Sequence, residues 1–201
     1  MASNVRQLLD EIRGCRICAD SLPMGPRPVL QLHPAARILV AGQAPGRAVH
    51  RTGIPFDDRS GERLRSWLGV TNEEFYDERL FAVVPMGFCY PGSGRSGDLP
   101  PRPECSAAWR QRVLGALRSL RLTVVVGQYA IAHHLPGSGS VTQAARSWRL
   151  HAPELFPLPH PSPRNARWMA ENDWFSRDVV PALRRRVRQV LRRDGGRERV
   201  I

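Results

Sequence analysis

Four short apolar runs punctuate the chain, each closed by glycine or proline: Ile38–Ala41, 80–84, Leu122–Val126 and Leu155–Leu158. Continuous rather than alternating apolar runs mark strands buried on both faces, as in a parallel sheet. Between them the apolar positions change to helical spacing. Val5, Leu8, Leu9 and Ile12 share a face over residues 4–12, with Asn4 as N-cap. Leu64, Trp67 and Leu68 do so over 60–68, Val113, Leu114 and Leu117 over 109–120, and Val179, Leu183, Val187 and Val190 over 178–193. Thr71 to Glu74 has the form of a capping box opening a short helix with Phe75 and Tyr76. Two more short helices are expected, over 128–135 and after the Gly/Ser turn at 136–140. Strands alternating with helices predict an α/β protein, a single-domain three-layer α/β/α fold with a central four-stranded parallel sheet. The domain is expected to span 1–193 and to leave 194–201 as a basic, frayed tail. No internal repeat interrupts the pattern.

One interval stands out against this pattern. After Ala41 the chain breaks at Gly42 and stays polar until the helix near Ser60, whereas βα connections are usually about 2–6 residues long. The interval holds Gln43, His50, the adjacent pair Asp57 and Asp58, Phe56 and three arginines. A loop at the carboxyl end of a parallel strand is where open α/β sheets bind ligands.

Charge narrows the class of ligand. The 201 residues carry 30 basic side chains against 18 acidic ones, a net charge of +12. All of the basic residues are arginine. A GC-rich codon bias explains arginine over lysine but not the excess over acid, so a polyanion such as nucleic acid is the expected partner. Without lysine, no side chain can form a Schiff base. The second face of the 178–193 segment carries Arg184, Arg185, Arg188 and Arg192; a solvated helix with cations near its C-terminus explains these more simply than a DNA-tracking face. No apolar stretch approaches the roughly 18 residues of a membrane span, and the N-terminus lacks a signal-peptide layout. A cytoplasmic monomer is expected.

Four cysteines occur. Cys15 and Cys18 form a C-x-x-C behind the first helix, and Cys89 and Cys105 fall in Pro/Gly-rich sequence that reads as loop. In a cytosolic protein this suits a closed four-thiolate site rather than a disulfide framework. Zinc and a [4Fe–4S] cluster both accept four cysteines, and spacing alone does not separate them.

The loop, the cysteines and the segment His160-Pro161-Ser162-Pro163-Arg164-Asn165 together resemble the uracil-DNA glycosylase superfamily, in particular its iron–sulfur branches, families 4 and 5. Gly42-Gln43-Ala44-Pro45-Gly46 is similar to motif 1, which reads GEAPG in family 4 and GQDPY in family 1. Arg51-Thr52-Gly53-Ile54-Pro55-Phe56 resembles the family-4 segment that follows it, and Asp58-Arg59-Ser60-Gly61 resembles a family-5 sequence. His160-Pro161-Ser162 matches motif 2. The resemblance runs from Cys15 to about Asn165 and is specific in the order and spacing of its motifs.

That resemblance implies a DNA repair enzyme that flips uracil from DNA and hydrolyses its N-glycosidic bond, with Cys15, Cys18, Cys89 and Cys105 holding a structural [4Fe–4S] cluster and zinc as the lesser alternative. It implies a base pocket built from Gly42, Gln43, Ala44, Pro45 and Gly46, with Phe56 stacking on the base and His160 donating a hydrogen bond to the departing uracil. Ser162, Pro163, Arg164 and Asn165 would enter the minor groove, Arg164 filling the gap left by the flipped base. Two departures matter. Ala44 stands where family 1 has its water-activating acid, which moves that role to Asp58, with Gln43 and His50 as further catalytic candidates. Pro85 stands four residues before Cys89, where family 4 reads the base with an Asn, so Met86, Gly87 or Gln43 must substitute. These departures keep two alternatives open, a catalytically weak DNA-binding relative and a glycosylase of broader specificity that accepts deaminated bases such as hypoxanthine. The histidine insertion of the branch that traps uracil covalently is absent.

Overall fold

The computed structural model describes residues 2–95 and 97–192, so the expected tail at 194–201 lies outside the described residues. Its elements in chain order are α1 (Ala2–Arg13), β1 (Ile38–Ala41), α2 (Arg47–Thr52), α3 (Arg59–Leu68), α4 (Asn72–Tyr76), β2 (Phe81–Val83), β3 (Ser93–Gly94), β4 (Gly97–Asp98), α5 (Pro103–Ala116), β5 (Leu122–Val126), α6 (Gln128–His134), α7 (Val141–Arg146), β6 (Leu155–Leu158), α8 (Ala166–Glu171) and α9 (Val180–Arg192), the last entered through a π turn at Phe175–Val179.

The four apolar runs form one parallel sheet in the order β2-β1-β5-β6, with Val40 in register with both Val83 and Val124. Both faces are covered, which is why the runs are continuous. Ile38, Val40, Phe81, Val83, Leu122 and Val124 pack against Leu64, Trp67, Leu68 and Phe75, and against Leu183, Val187 and Val190 of α9. Leu39, Ala82 and Val84 turn to the other face, against Val5, Leu8 and Ile12 of α1 and Val113 and Leu117 of α5. Ala41 and Val125 continue that face beneath Ala130, Ile131 and Ala144. Each large side chain so buried contributes about 1.5–3 kcal/mol relative to exposure. The α/β/α sandwich expected from the pattern is thus the observed fold.

The outer strands are protected differently. Pro157 lies in β6, an edge strand, where its missing N–H costs no ladder bond. β2 is covered by Gln31, whose backbone exchanges 2.9 Å hydrogen bonds with Val83 in both directions. The Gln31 side-chain amide also donates to the carbonyls of Phe81 and Phe75, at 2.7 and 3.1 Å.

Several boundaries differ from expectation. α1 starts at Ala2, which puts Asn4 inside the helix rather than at its cap. The polar interval after β1 is interrupted by α2, which buries Val49 and His50. α5 begins at Pro103, a residue suited to the first helical position, so Cys105 sits on the first turn of a helix and not in a loop. That helix also ends at Ala116, short of the expected 120. The terminal helix is divided by the π turn. The capping box at Thr71 is present, with the Glu74 side chain accepting from the Thr71 N–H at 2.9 Å. The cations of α9 tie the fold together: Arg184 donates to the Ser66 carbonyl at 2.8 and 3.1 Å, and Arg188 to Glu74 at 2.6 Å. None of the described helices is long and apolar enough to cross a membrane.

Candidate active site

Because the sheet is parallel, its strands all deliver their following residues to one edge. There β1 runs into Gly42, β2 approaches Pro85 and β6 approaches His160. A recess at that edge is lined by Gly42, Gln43, Ala44, Pro45 and Gly46, by Pro55, Phe56, Asp58 and Ser60, by Val29, Val49, Val83 and Pro85, and by His160. Its walls are mainly apolar, with few directional polar groups.

Phe56 is held in place by contacts with Gly42, Phe75, Arg65 and Gly61. It is the one non-glycine residue with positive φ (55°) among the described residues, a strain of about 1–3 kcal/mol that the surroundings must support. Its ring lies over Gly42, where a Cβ would meet Phe56 Cζ at 3.3 Å, and meets Phe75 edge-on at 6.3 Å. Its carbonyl accepts a 3.2 Å hydrogen bond from Arg65 Nη1. Arg65 is buried between the rings of Phe75 and Tyr76, 5.6 and 5.5 Å from their centroids, and also donates to the Tyr76 hydroxyl. The same carbonyl rests on Gly61, where a Cβ would lie 1.7 Å from it. No local sequence signal marks Arg65 or Gly61 as supports for the ring.

Asp58 is the N-cap of α3, and its Oδ1 accepts the Gly61 N–H at 2.8 Å. The cap fixes the carboxylate at the recess and leaves Oδ2 without a partner among the described residues. Asp57 is exposed and does not line the recess. Asp58 thus both caps α3 and faces the recess.

His160 follows β6, and its own motif orients it. Nδ1 accepts the Ser162 N–H at 3.2 Å, and the Asn165 side-chain amide donates to the His160 carbonyl at 2.7 Å. With Nδ1 an acceptor, the proton of the neutral ring is on Nε2. Burial holds the His160 pKa below the ordinary histidine value, opposed by the charges of Asp58 and Asp98. At neutral pH the ring is a neutral Nε2–H donor. Ser162 and Asn165 are thus partly occupied with holding His160, and the Ser162 carbonyl accepts from Arg63 at 3.0 Å. Pro163 and Arg164 are exposed at the rim.

Other expected residues lie elsewhere. His50 is buried in α2 near Tyr90, outside the recess, and its Nδ1 has no hydrogen-bond partner among the described residues. Burial and the nearby Arg27 cation lower its pKa. Met86 and Gly87 do not line the recess either. Their N–H groups are given to the carbonyls of Gly42 and Gln43, at 2.9 and 3.0 Å, and the Phe88 N–H points to Cys105 Sγ at 3.3 Å. Gln43 does line the recess, but its amide nitrogen donates to Leu99 O at 3.0 Å. Behind Pro85, buried Arg110 donates through Nη1 to the Val84 and Pro85 carbonyls (3.0 and 3.2 Å), with Nη2 2.6 Å from His134 Nε2. Burial brings its pKa down to about 10, so it stays cationic at neutral pH.

A broader groove adjoins the recess. Gln43, Ala44 and His160 line both, and the groove adds Asp98, Gln128, Tyr129, Ser162, Arg164 and Trp168 among others.

Cys15, Cys18, Cys89 and Cys105 line a second recess, beneath the end of α1 and the start of α5, and all four are free thiols. Burial raises Cys89 to about 11 and Cys105 to about 12. Thiols so desolvated are protonated at neutral pH and poor nucleophiles, which disfavours thiol catalysis; a bound metal would itself deprotonate them. Among the described residues no group of three or more His, Cys, Asp or Glu converges tightly enough to hold one metal ion. The lining adds hydrogen-bond donors that lack acceptors, since Arg102 Nε and Trp109 Nε1 are buried without partners and both residues line the recess. Hydrogen bonds to sulfur are a regular feature around iron–sulfur clusters. The donor set fits a sulfur-containing cluster.

Residues 31–184 match the family model of the uracil DNA glycosylase superfamily. The match takes in every residue of the first recess except Val29, together with Cys89 and Cys105; Cys15 and Cys18 precede it.

Proposed function

The chain belongs to the uracil DNA glycosylase superfamily, whose members are glycosylases acting on damaged bases in DNA, and from that premise we propose that it is a monofunctional uracil-DNA glycosylase. The observation that carries this reading is the recess, which gathers Phe56, a carboxylate without a cationic partner among the described residues and a neutral histidine donor between apolar walls. A glycosylase must extrude its target nucleotide, at a cost of a few kcal/mol in unstacking, and hold the base in such a slot. Phe56 stacks on the base. As the bond between C1′ and uracil N1 breaks, its electron pair leaves with the base, and His160 Nε2–H donates to the developing anion at O2. Backbone N–H groups of residues 43–46 supply further donors, in the manner of an oxyanion hole. Water, held by Asp58 Oδ2, bonds to C1′ and yields its proton to that carboxylate, leaving an abasic site and the uracil anion, which takes its proton from solvent. No lysine is present to continue to strand cleavage through a Schiff base. The excess of arginine over acid suits the DNA backbone.

Incubation with a uracil-containing oligonucleotide followed by hot alkali is expected to break the strand at the uracil. Intact strands on both uracil and hypoxanthine substrates, from protein shown by melting to be folded, would overturn the reading and leave a non-catalytic DNA-binding relative. Cleavage at hypoxanthine as well is favoured by a specific feature, the replacement of the expected amide by Pro85 together with the internal commitment of the Met86 and Gly87 N–H groups. A pocket with few fixed polar contacts discriminates bases mainly by shape.

Cys15, Cys18, Cys89 and Cys105 would hold a [4Fe–4S] cluster that acts structurally, joining the end of α1, the loop before α5 and α5 itself. Protein purified without oxygen is expected to be brown, with a broad visible absorbance that is lost in Cys89→Ala. A colourless preparation containing stoichiometric zinc would refute the cluster.

A further inference from the structure

A nucleotide whose base fills the recess must leave its sugar where recess and groove meet, at Gln43, Ala44 and His160. A second carboxylate stands at that junction, contributed by the β3–β4 hairpin. Asp98 lines the groove, and its Oδ2 lies 3.4 Å from where a Cβ on Gly46 would be. Its other oxygen accepts from Ser93 Oγ at 2.8 Å, and Ser93 Oγ is 2.7 Å from the hydroxyl of buried Tyr90. One oxygen is therefore held by a chain reaching into the core, and the other faces the loop of residues 42–46. Among the described residues no arginine forms a salt bridge with Asp98, although Arg164 Nη1 would lie 2.6 Å from a Cβ on the neighbouring Gly97.

An unpaired carboxylate facing a DNA groove repels phosphate and weakens binding of the substrate. Its benefit must come in the transition state, and the reaction supplies one: positive charge builds on the sugar as the glycosidic bond lengthens. A group that interacts better with the transition state than with the bound substrate accelerates the chemical step. We propose that Asp98 is a catalytic residue of this site, facing the sugar at the mouth of the recess and stabilising its cationic character, a carboxylate brought from the hairpin to the segment where motif 1 carries Ala44. Asp58 and Asp98 then divide the work, the first holding water and the second screening the sugar cation. No bond is made to Asp98 and no proton is transferred to it.

The proposal rests on the glycosylase reading, and its test separates the two. Asp98→Asn preserves shape and the acceptor for Ser93, and the residue is exposed, so the fold is expected to survive. Single-turnover cleavage of a uracil oligonucleotide should fall roughly tenfold, the scale of one partly screened charge contact. Binding of an uncleavable 2′-fluoro-deoxyuridine oligonucleotide should be unchanged or tighter, because a negative charge facing phosphate has been removed. The His160 ring, followed by NMR, should titrate at lower pH once the nearby anion is gone. Ser93→Ala should reproduce a smaller part of the rate loss. Unchanged cleavage, a loss of binding that matches the loss of rate, or an unmoved His160 titration would overturn the role of Asp98. Absence of cleavage by the wild-type protein would instead sink the glycosylase reading, and the His160 titration would still show whether Asp98 faces the recess.

Discussion

Gly61→Ala is expected to destabilise the protein by about 4 kcal/mol or more, the exceptional range for a single substitution. The added methyl would lie 1.7 Å from the Phe56 carbonyl oxygen, 2.6 Å from its carbon and 2.9 Å from its Cβ, so it meets backbone and not a flexible side chain. The Phe56 peptide cannot retreat without leaving Arg65, and the first turn of α3 cannot shift without losing the Asp58 cap. For a domain of this length each kcal/mol moves the melting temperature by about 2–4 °C, so thermal or urea unfolding should show a fall of roughly 10 °C. Glycosylase activity should be lost with it, because the displaced Phe56 ring is a wall of the recess. The control is Gly115→Ala in α5, where a Cβ meets nothing within 4 Å. There the same substitution gains helix propensity and should stabilise by up to about 1 kcal/mol. Equal effects at the two positions would show that the Phe56–Gly61 contact does not constrain the fold.

Asp58→Asn is expected to lower the single-turnover rate about 10²-fold or more, within the range for loss of a general base, with little change in stability. The separation follows from the dual role of this side chain. Asn is as good an N-cap as Asp, so the bond from the Gly61 N–H survives and α3 keeps its start. What is lost is the negative Oδ2 to which the proposed mechanism gives the proton of water. The lost charge at the helix N-terminus costs only about 0.3–1 kcal/mol. Asp57→Asn, at the exposed neighbour, should leave the rate within about twofold of wild type, as expected where no charge contact with the reacting atoms is lost. If Asp57→Asn proves the damaging change, water activation belongs to the other carboxylate; if neither does, it lies outside the pair.

The parts of the site that could be read from the chain are those carried by short contiguous segments. Gly42 to Gly46, Phe56, Asp58 and His160 belong to motifs whose order is linear, and the structure draws them to one recess. Asp58 was legible as a carboxylate of the loop, whereas its second role as the cap of α3 came with the structure. His50 was misplaced since the 42–60 interval was read as loop; the α2 helix turns that side chain inward, near Tyr90. Cys105 was placed in a loop although Pro103 and Glu104 form the proline-and-acid start of a helix, a signal present in the sequence. Met86 and Gly87 were candidates to read the base only because the fate of their N–H groups, spent on Gly42 and Gln43, is invisible until β1 and β2 lie side by side.

The sequence by itself determined the layers of this protein. Runs such as Ile38–Ala41 and Leu122–Val126 are apolar at every position because a parallel sheet buries both faces, and that requirement is written into consecutive residues. The tertiary structure alone decided which polar groups are poised and which are spent. Arg65 supports Phe56, Arg110 grips the carbonyls behind Pro85, and Asp98 reaches the loop of residues 42–46 from a hairpin about fifty positions later in the chain. The reason is physical. Burial of apolar surface is non-directional and leaves a periodic trace in the chain, whereas a hydrogen bond or a charge contact depends on distance and angle between residues that only folding brings together.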